Sequence, residues 1–210
     1  MPFTAQQTLT PRQQFAKRAF DLLAALLLLL LFWPVILIVY VAATLDTGQS
    51  GFFVQQRVGQ HGKLFRIVKL RTMRKVPGMT TTVTQAHDPR ITRLGQLWRR
   101  SKIDELPQLF NVALGQMSFV GPRPDVPGFA DRLQGEDRII LSIRPGITGP
   151  ATLAFRDEQE LLAQQVDPER YNREVIFPRK VALNRDYVEN YSFWRDMQYI
   201  WLTVSGGTPS

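Results

Sequence analysis

The sequence contains no cysteine and only two histidines, His61 and His87. Neither a disulfide framework nor a thiolate metal site can form, and a His-rich zinc cluster is excluded as well. Any bound metal must be a hard cation held by carboxylates, as magnesium is. Charge is also missing from one long stretch, Leu22 to Leu45, which opens as a nearly unbroken Leu/Ala run. As a helix this stretch reaches roughly 36 Å, enough to cross a hydrocarbon core of about 30 Å. Arg12, Lys17 and Arg18 precede it as they would a secretory signal, but the run exceeds the apolar core of about 7–15 residues that a cleaved signal uses. No internal repeat is visible.

The rest of the composition is that of a folded protein. The 210 residues, 44% of them hydrophobic, suffice for a compact domain plus a membrane segment. Lys and Arg number 26 against 18 acidic residues, and the resulting charge of +8 favours polyanionic partners. Nucleic acid, anionic lipid and phosphorylated substrates all qualify. The cations follow amphipathic faces and Pro/Gly turns rather than one groove, so nucleic acid is not the expected partner.

Pro34 sits near the middle of the apolar run, where it removes a helical hydrogen bond and crowds the carbonyl of Leu30. Each half is then about 18 Å long, too short to cross alone. Cations flank both ends: Arg12, Lys17 and Arg18 before, Arg57, Lys63, Arg66, Lys69 and Arg71 after. Positive flanks on both sides favour a segment that dips in and returns, although a kinked spanning helix satisfies the same pattern.

The character changes at Asp46, which divides the chain into an N-terminal membrane part, 1–46, and a body, 47–210. Phe52 to Val58 and Leu64 to Arg71 flank Gly59-Gln60-His61-Gly62-Lys63 and predict a β-hairpin. Lys69 and Arg71 then share one face of a strand. Val76 to Pro89 reads as a loop, with Pro77-Gly78 and a Thr80–Thr82 run. Ile91, Leu94 and Trp98, interleaved with Arg90, Arg93, Arg99 and Arg100, predict a basic amphipathic helix suited to an anionic surface. Leu106, Leu109, Phe110 and Ala113 predict another helix, stopped at Gly115. Asp104 and Glu105 stand at its start, where the ordinary role of an acidic pair is to cap the helix and complement its dipole. Gly121-Pro122-Arg123-Pro124 and Arg144-Pro145-Gly146 are rigid turns that each hold out one cation. A further helix is expected near Asp157 to Gln165. Phe193, Met197, Ile200, Trp201 and Val204 form the stripe of a C-terminal helix, either packed on the core or lying at a membrane boundary. The fold class is α+β, mainly helical.

Several of these stretches together resemble the bacterial sugar transferases, the small monotopic phosphoglycosyl transferases. The resemblance runs from Lys17-Arg18-Ala19-Phe20-Asp21 through Pro34, Phe53 to Gly59 and Lys69-Leu70-Arg71-Thr72-Met73. It is densest in Ile103-Asp104-Glu105-Leu106-Pro107-Gln108-Leu109, in Asn111-Val112 and in Met117 to Pro124, and it closes with Arg144 to Gly149. It implies a re-entrant helix broken at Pro34, with both ends on the cytoplasmic face of the bacterial inner membrane. It also implies a ping-pong reaction in which Asp104 attacks the β-phosphate of a UDP-sugar, expels UMP and passes the sugar phosphate to polyprenol phosphate, initiating a surface glycan. Glu105, with Asp104, would hold Mg²⁺. Lys69, Arg71, Arg99, Arg123 and Arg144 would supply cations in a site that includes Pro122, and Gln108 and Asn111 would supply polar contacts. A membrane scaffold or anionic-lipid binder is the alternative; it explains the charge and the apolar run but not the Asp-Glu pair. The motifs select no particular sugar and no oligomeric state.

Overall fold

The computed structural model describes residues 9–76 and 88–207. Most of the expected Val76–Pro89 loop, including His87, lies outside the described residues.

The first element is the longest. Helix α1, Pro11–Thr47, opens with a reciprocal cap: Gln13 N–H donates to the Thr10 hydroxyl at 3.3 Å, and Thr10 N–H donates to the Gln13 side chain at 2.8 Å. It closes at Gly48, whose left-handed φ of 68° lets its N–H reach the Thr44 carbonyl. The break expected at Pro34 does not appear as an interruption: helical structure continues through Pro34, because the ring removes one N–H bond while the flanking turns keep theirs. Among the described residues this is the one helix long and apolar enough to cross a membrane. One stripe of α1 is buried, through Lys17, Asp21, Ala25, Ile36, Val39 and Ala43. The opposite side leaves Leu23, Leu27, Leu30, Leu31, Ile38 and Leu45 more than 60% exposed.

Strands β1, Phe52–Val58, and β2, Leu64–Leu70, form the expected antiparallel hairpin, with Phe52 opposite Leu70 and Val58 opposite Leu64. Helix α2, Arg93–Arg100, buries Gly95 and Trp98 and leaves Leu94 and Leu97 exposed, so Leu94 is not on the inward stripe that its spacing suggested. A 3-10 turn, Ile103–Glu105, leads through Pro107 into α3, Gln108–Ala113.

The two turns read as independent rigid loops prove to be one unit. Strand β3, Ser118–Val120, runs parallel to β4, Gly146–Thr148, and Gly121, just after β3, lies against Gly146 at the start of β4 and Gly149 just after its end. A Cβ on Gly146 would come within 2.2 Å of the Gly121 nitrogen, so the two backbones can touch only because side chains are missing there.

Helices α4, Pro150–Ala154, α5, Glu158–Ala163, and α6, Pro168–Tyr171, are short. Helix α7, Phe177–Glu189, buries Val181, Asn184, Tyr187 and Val188, and α8, Phe193–Ser205, ends the described chain. The main core joins Val58 and Val120 to Ile139, Ile140 and Leu141, and to Leu153, Val181, Tyr187 and Val188. Two smaller clusters attach α1: Ala25 with Ile67, Val112 and Met117, and Val39 and Ala43 with Leu70 and Trp98.

Candidate active site

The site assembles where the end of β2, the end of α2 and the turn before α3 meet. Lys102 adopts a left-handed φ of 58°, a conformation that costs a non-glycine residue roughly 1–2 kcal/mol. The chain is thereby turned so that Asp104 and Glu105 fall in a 3-10 turn and not at a helix cap. Neither that turn nor α3 receives a side-chain cap. Capping, the first half of the ordinary explanation for this acidic pair, is therefore removed.

The two carboxylates have opposite surroundings. Glu105 Oε1 accepts from Lys69 Nζ at 2.8 Å and from Arg123 Nη2 at 2.9 Å. Burial opposes its ionisation, but Lys69 and Arg123 overcome that and hold the carboxyl well below the usual range. Asp104 is 8% exposed, and its Oδ1 has no hydrogen-bond partner. Burial raises its pKa and the adjacent Glu105 charge raises it further, against the pull of Lys69, Arg99 and Lys102. Leaving such an oxygen bare costs about 1–3 kcal/mol, which a protein tolerates chiefly where the atom serves something else. Gln108 repeats the pattern: it is 2% exposed and its Nε2 is also unpartnered, one helical turn beyond Asp104.

Arg99 is anchored through Nε to the Thr72 hydroxyl at 2.9 Å, and its charge acts on Asp104. Burial lowers the pKa of both Lys69 and Arg99. Pro122 is buried, and its carbonyl accepts the Gly146 N–H, which fixes the turn that presents Arg123.

Three expected contacts are used elsewhere. Asn111 is consumed by the fold: its Oδ1 accepts the Val68 N–H, and its Nδ2 donates to the Arg66 carbonyl and to Gln116 Oε1. Arg71 lies one residue past β2, and its guanidinium turns back to the carbonyls of Ser50 and Phe52 instead of joining Lys69. Arg144 donates to the Gly115 carbonyl at 2.8 Å, and the charges acting on it are Arg18 and Asp21, not the Asp104–Glu105 pair.

Other side chains near the pair are not among the expected site residues; the sequence places Arg57 only among the cations that flank the apolar run. Arg57 donates to the Pro124 carbonyl and to Gln55, and burial lowers its pKa to about 10. Burial likewise pushes Asp125, next to Pro124, up to about 6. Lys180 binds both oxygens of Glu158 at 2.7 Å. No short-range spacing links Arg57 with Lys180; only the fold brings them together.

Among the described residues no cluster of three or more metal-ligating side chains exists. Two carboxylates fit a magnesium ion that takes its remaining ligands from phosphate oxygens and water, and the bare Asp104 Oδ1 is a suitable hard donor.

The profile of the family described as bacterial sugar transferase matches residues 12–208. Among curated proteins, the UDP-glucose:undecaprenyl-phosphate glucose-1-phosphate transferase of Caulobacter vibrioides is 36% identical over 202 residues, covering 90% of this chain and 68% of that protein. The Escherichia coli protein of the same description is 35% identical, over 91% of this chain but 40% of its own length. An Aeromonas hydrophila UDP-N-acetylgalactosamine-undecaprenyl-phosphate N-acetylgalactosaminephosphotransferase is 34% identical, over 93% of this chain and 44% of its length. Similar identity thus accompanies different sugars.

Proposed function

Since the chain belongs to the bacterial sugar transferase family, we propose that it moves a sugar 1-phosphate from a UDP-sugar to undecaprenyl phosphate and so initiates a surface glycan. The observation that carries the reading is the buried, unpartnered Asp104 beside a Glu105 gripped by Lys69 and Arg123. Asp21 and Asp46 each keep a bare oxygen as well, so it is the conjunction of a bare Asp104 with a cation-held Glu105 that a scaffold or lipid binder does not explain.

In the proposed first half-reaction an Asp104 carboxylate oxygen attacks the β-phosphorus of the donor. The bond from that phosphorus to the bridging oxygen breaks, UMP departs with the electron pair, and an acyl phosphate carrying the sugar remains on Asp104. In the second, a phosphate oxygen of the polyprenol attacks the same phosphorus and the Asp104 carboxylate leaves, giving the polyprenyl diphosphate sugar. Burial makes Asp104 more basic, hence a stronger nucleophile once ionised. Arg99, Lys69 and Arg123 supply positive charge where a diphosphate would otherwise repel the attacking carboxylate. Magnesium, held by Glu105 and Asp104, would neutralise phosphoryl charge when bound.

The membrane arrangement proposed is re-entrant, with 1–46 as the dipping segment and 47–210 as the body on the cytoplasmic face of the inner membrane. Both ends of α1 dock on the same body, which supports this. Near its start Lys17 pairs with Asp196, and Arg18 donates to the carbonyls of Val112 and Ala113. Near its end Tyr40 packs on Phe52, and Arg74 pairs with Asp46. A span would have to leave one of these sets across the bilayer. Exposed Leu97, Phe110 and Leu114, and Trp194, Trp201 and Val204 on α8, suit contact with lipid.

The test is UMP release from a panel of UDP-sugars by detergent-solubilised protein with polyprenol phosphate and magnesium. At least one sugar should yield UMP; none doing so would defeat the assignment. Because the sequence has no cysteine, single cysteines at Gln13 and Gln49 report topology directly. An impermeant maleimide should label both from the cytoplasmic side, and labelling from opposite sides would rule out re-entry.

A further inference from the structure

A cavity of about 230 Å³ opens beside the Glu105 clamp, and no step described above uses it. Arg123 belongs to both: it donates to Glu105 at 2.9 Å and also lines the cavity, so the cavity begins where the reacting pair ends. Asp125, Glu158, Gln159 and Lys180 form polar parts of its wall. Phe129 and Phe177 form an apolar part, in edge-to-face contact with ring centroids 5.3 Å apart. The Asp125 carboxylate makes no ion pair among the described residues, whereas Glu158 is fixed by Lys180 through both oxygens.

Three considerations identify the occupant. The volume falls below the roughly 300–1,000 Å³ of sites that enclose a whole drug-sized ligand, so it suits one ring and not an entire nucleotide sugar. Carboxylates, an amide and an ammonium beside aromatic carbon suit a pyranose, whose hydroxyls both donate and accept while its C–H faces are apolar. In an in-line displacement the nucleophile and the departing UMP take opposite ends of the phosphorus, so the sugar oxygen must lie to the side, among the equatorial oxygens. A cation serving those oxygens from Glu105 adjoins the sugar, and Arg123 is placed to do so.

We propose that this cavity receives the sugar ring of the donor, and that Asp125, with Gln159 and the Glu158–Lys180 pair, reads its hydroxyls and sets which UDP-sugar is used. The assignment rests on the transferase reading, so UMP release by the unaltered protein is established first. If no donor is turned over, it is that reading which fails, and the pocket assignment falls with it.

With turnover in hand, Asp125→Ala and Gln159→Ala are compared across UDP-glucose, UDP-galactose and their N-acetylated counterparts, with UMP as a competing ligand. Asp125→Ala should lower kcat/KM for the preferred donor by about 10- to 100-fold, the range of one lost charged hydrogen bond. It should also flatten the ranking of the four sugars and leave the inhibition constant of UMP within about twofold. The exposed Gln159→Ala, which leaves the core intact, should shift the same ranking more weakly and so covers the case in which the Asp125 variant fails to fold. If UMP binding weakens as much as donor kcat/KM falls, the cavity holds the nucleoside and the proposal is overturned. It is equally overturned if folded variants keep both the ranking and the kcat/KM of the parent.

Discussion

Two buried charge clusters in this protein are built on opposite principles. At the base of α1, Asp196 has both oxygens occupied: Oδ1 accepts from the Tyr187 hydroxyl at 2.5 Å, and Oδ2 accepts from Lys17 at 2.5 Å and from Tyr191 at 3.3 Å. At the mouth of α3, Glu105 takes two cations on a single oxygen, while Asp104 beside it keeps Oδ1 bare. A network in which both carboxylate oxygens are occupied fixes geometry, and here it fastens the apolar helix to the body. A network left incomplete fixes the neighbours of one group and holds that group ready for a ligand. A bare oxygen alone does not mark the reaction centre, since Asp21 and Asp46 each keep one too; what sets Asp104 apart is its place beside a Glu105 held by Lys69 and Arg123.

The largest expected effect breaks the incomplete cluster. Asp104→Asn should reduce UMP release by at least about 10³-fold, while thermal unfolding shows equal or higher stability because an unpaired buried carboxylate is gone. A clear loss of stability with turnover retained would mean that Asp104 is part of a clamp too.

The converse substitution comes next. Asp196→Asn leaves Lys17 buried without its anion and should cost about 3–5 kcal/mol of unfolding free energy in a denaturant titration. Turnover per folded molecule should stay within about twofold. A drop in kcat at full folding would show that the clamp also sets the height or angle of the site.

The smallest effect concerns pH. Asp125 is raised from 3.8 to about 6 by burial; Glu158 adds to that rise, and Lys180, Arg57 and Arg123 oppose it. A carboxyl whose folded pKa lies above its unfolded value binds more protons in the folded state, so its ionisation destabilises the protein as pH rises from about 4 to about 6. Asp125→Asn should therefore stabilise by at most about 3 kcal/mol at pH 8, with no gain left near pH 3.5. Melting temperatures at the two pH values measure this, and an equal gain at both would remove titration as its cause.

The parts of this molecule that were legible in its sequence share one property: their signal is local. The hairpin shows in two apolar-rich strands around Gly59 and Gly62, and α1 shows in its uninterrupted apolar run. Asp104 and Glu105 are visible as a pair, but the same letters spell a helix cap, and only the left-handed Lys102 and the missing cap bond separate the readings. Helix α7 is silent because its buried face includes Asn184 and Tyr187, which a hydrophobic stripe does not count. Strands β3 and β4 are too short to show any period, so Arg123 and Arg144 looked alike on their turns. The fold sends one to a carboxylate and the other to a backbone carbonyl. Asn111 misled for a related reason: a buried amide that pins a strand is indistinguishable in sequence from one awaiting a substrate.

The most direct test of the incomplete cluster is to look for what it would carry. The protein is incubated with a turned-over UDP-sugar and magnesium, without polyprenol phosphate, quenched in acid, digested and examined by mass spectrometry. A sugar-phosphate adduct on the peptide containing Asp104, discharged when polyprenol phosphate is added before the quench, is the predicted result. An adduct on another side chain, or undiminished UMP release from Asp104→Asn, would contradict it.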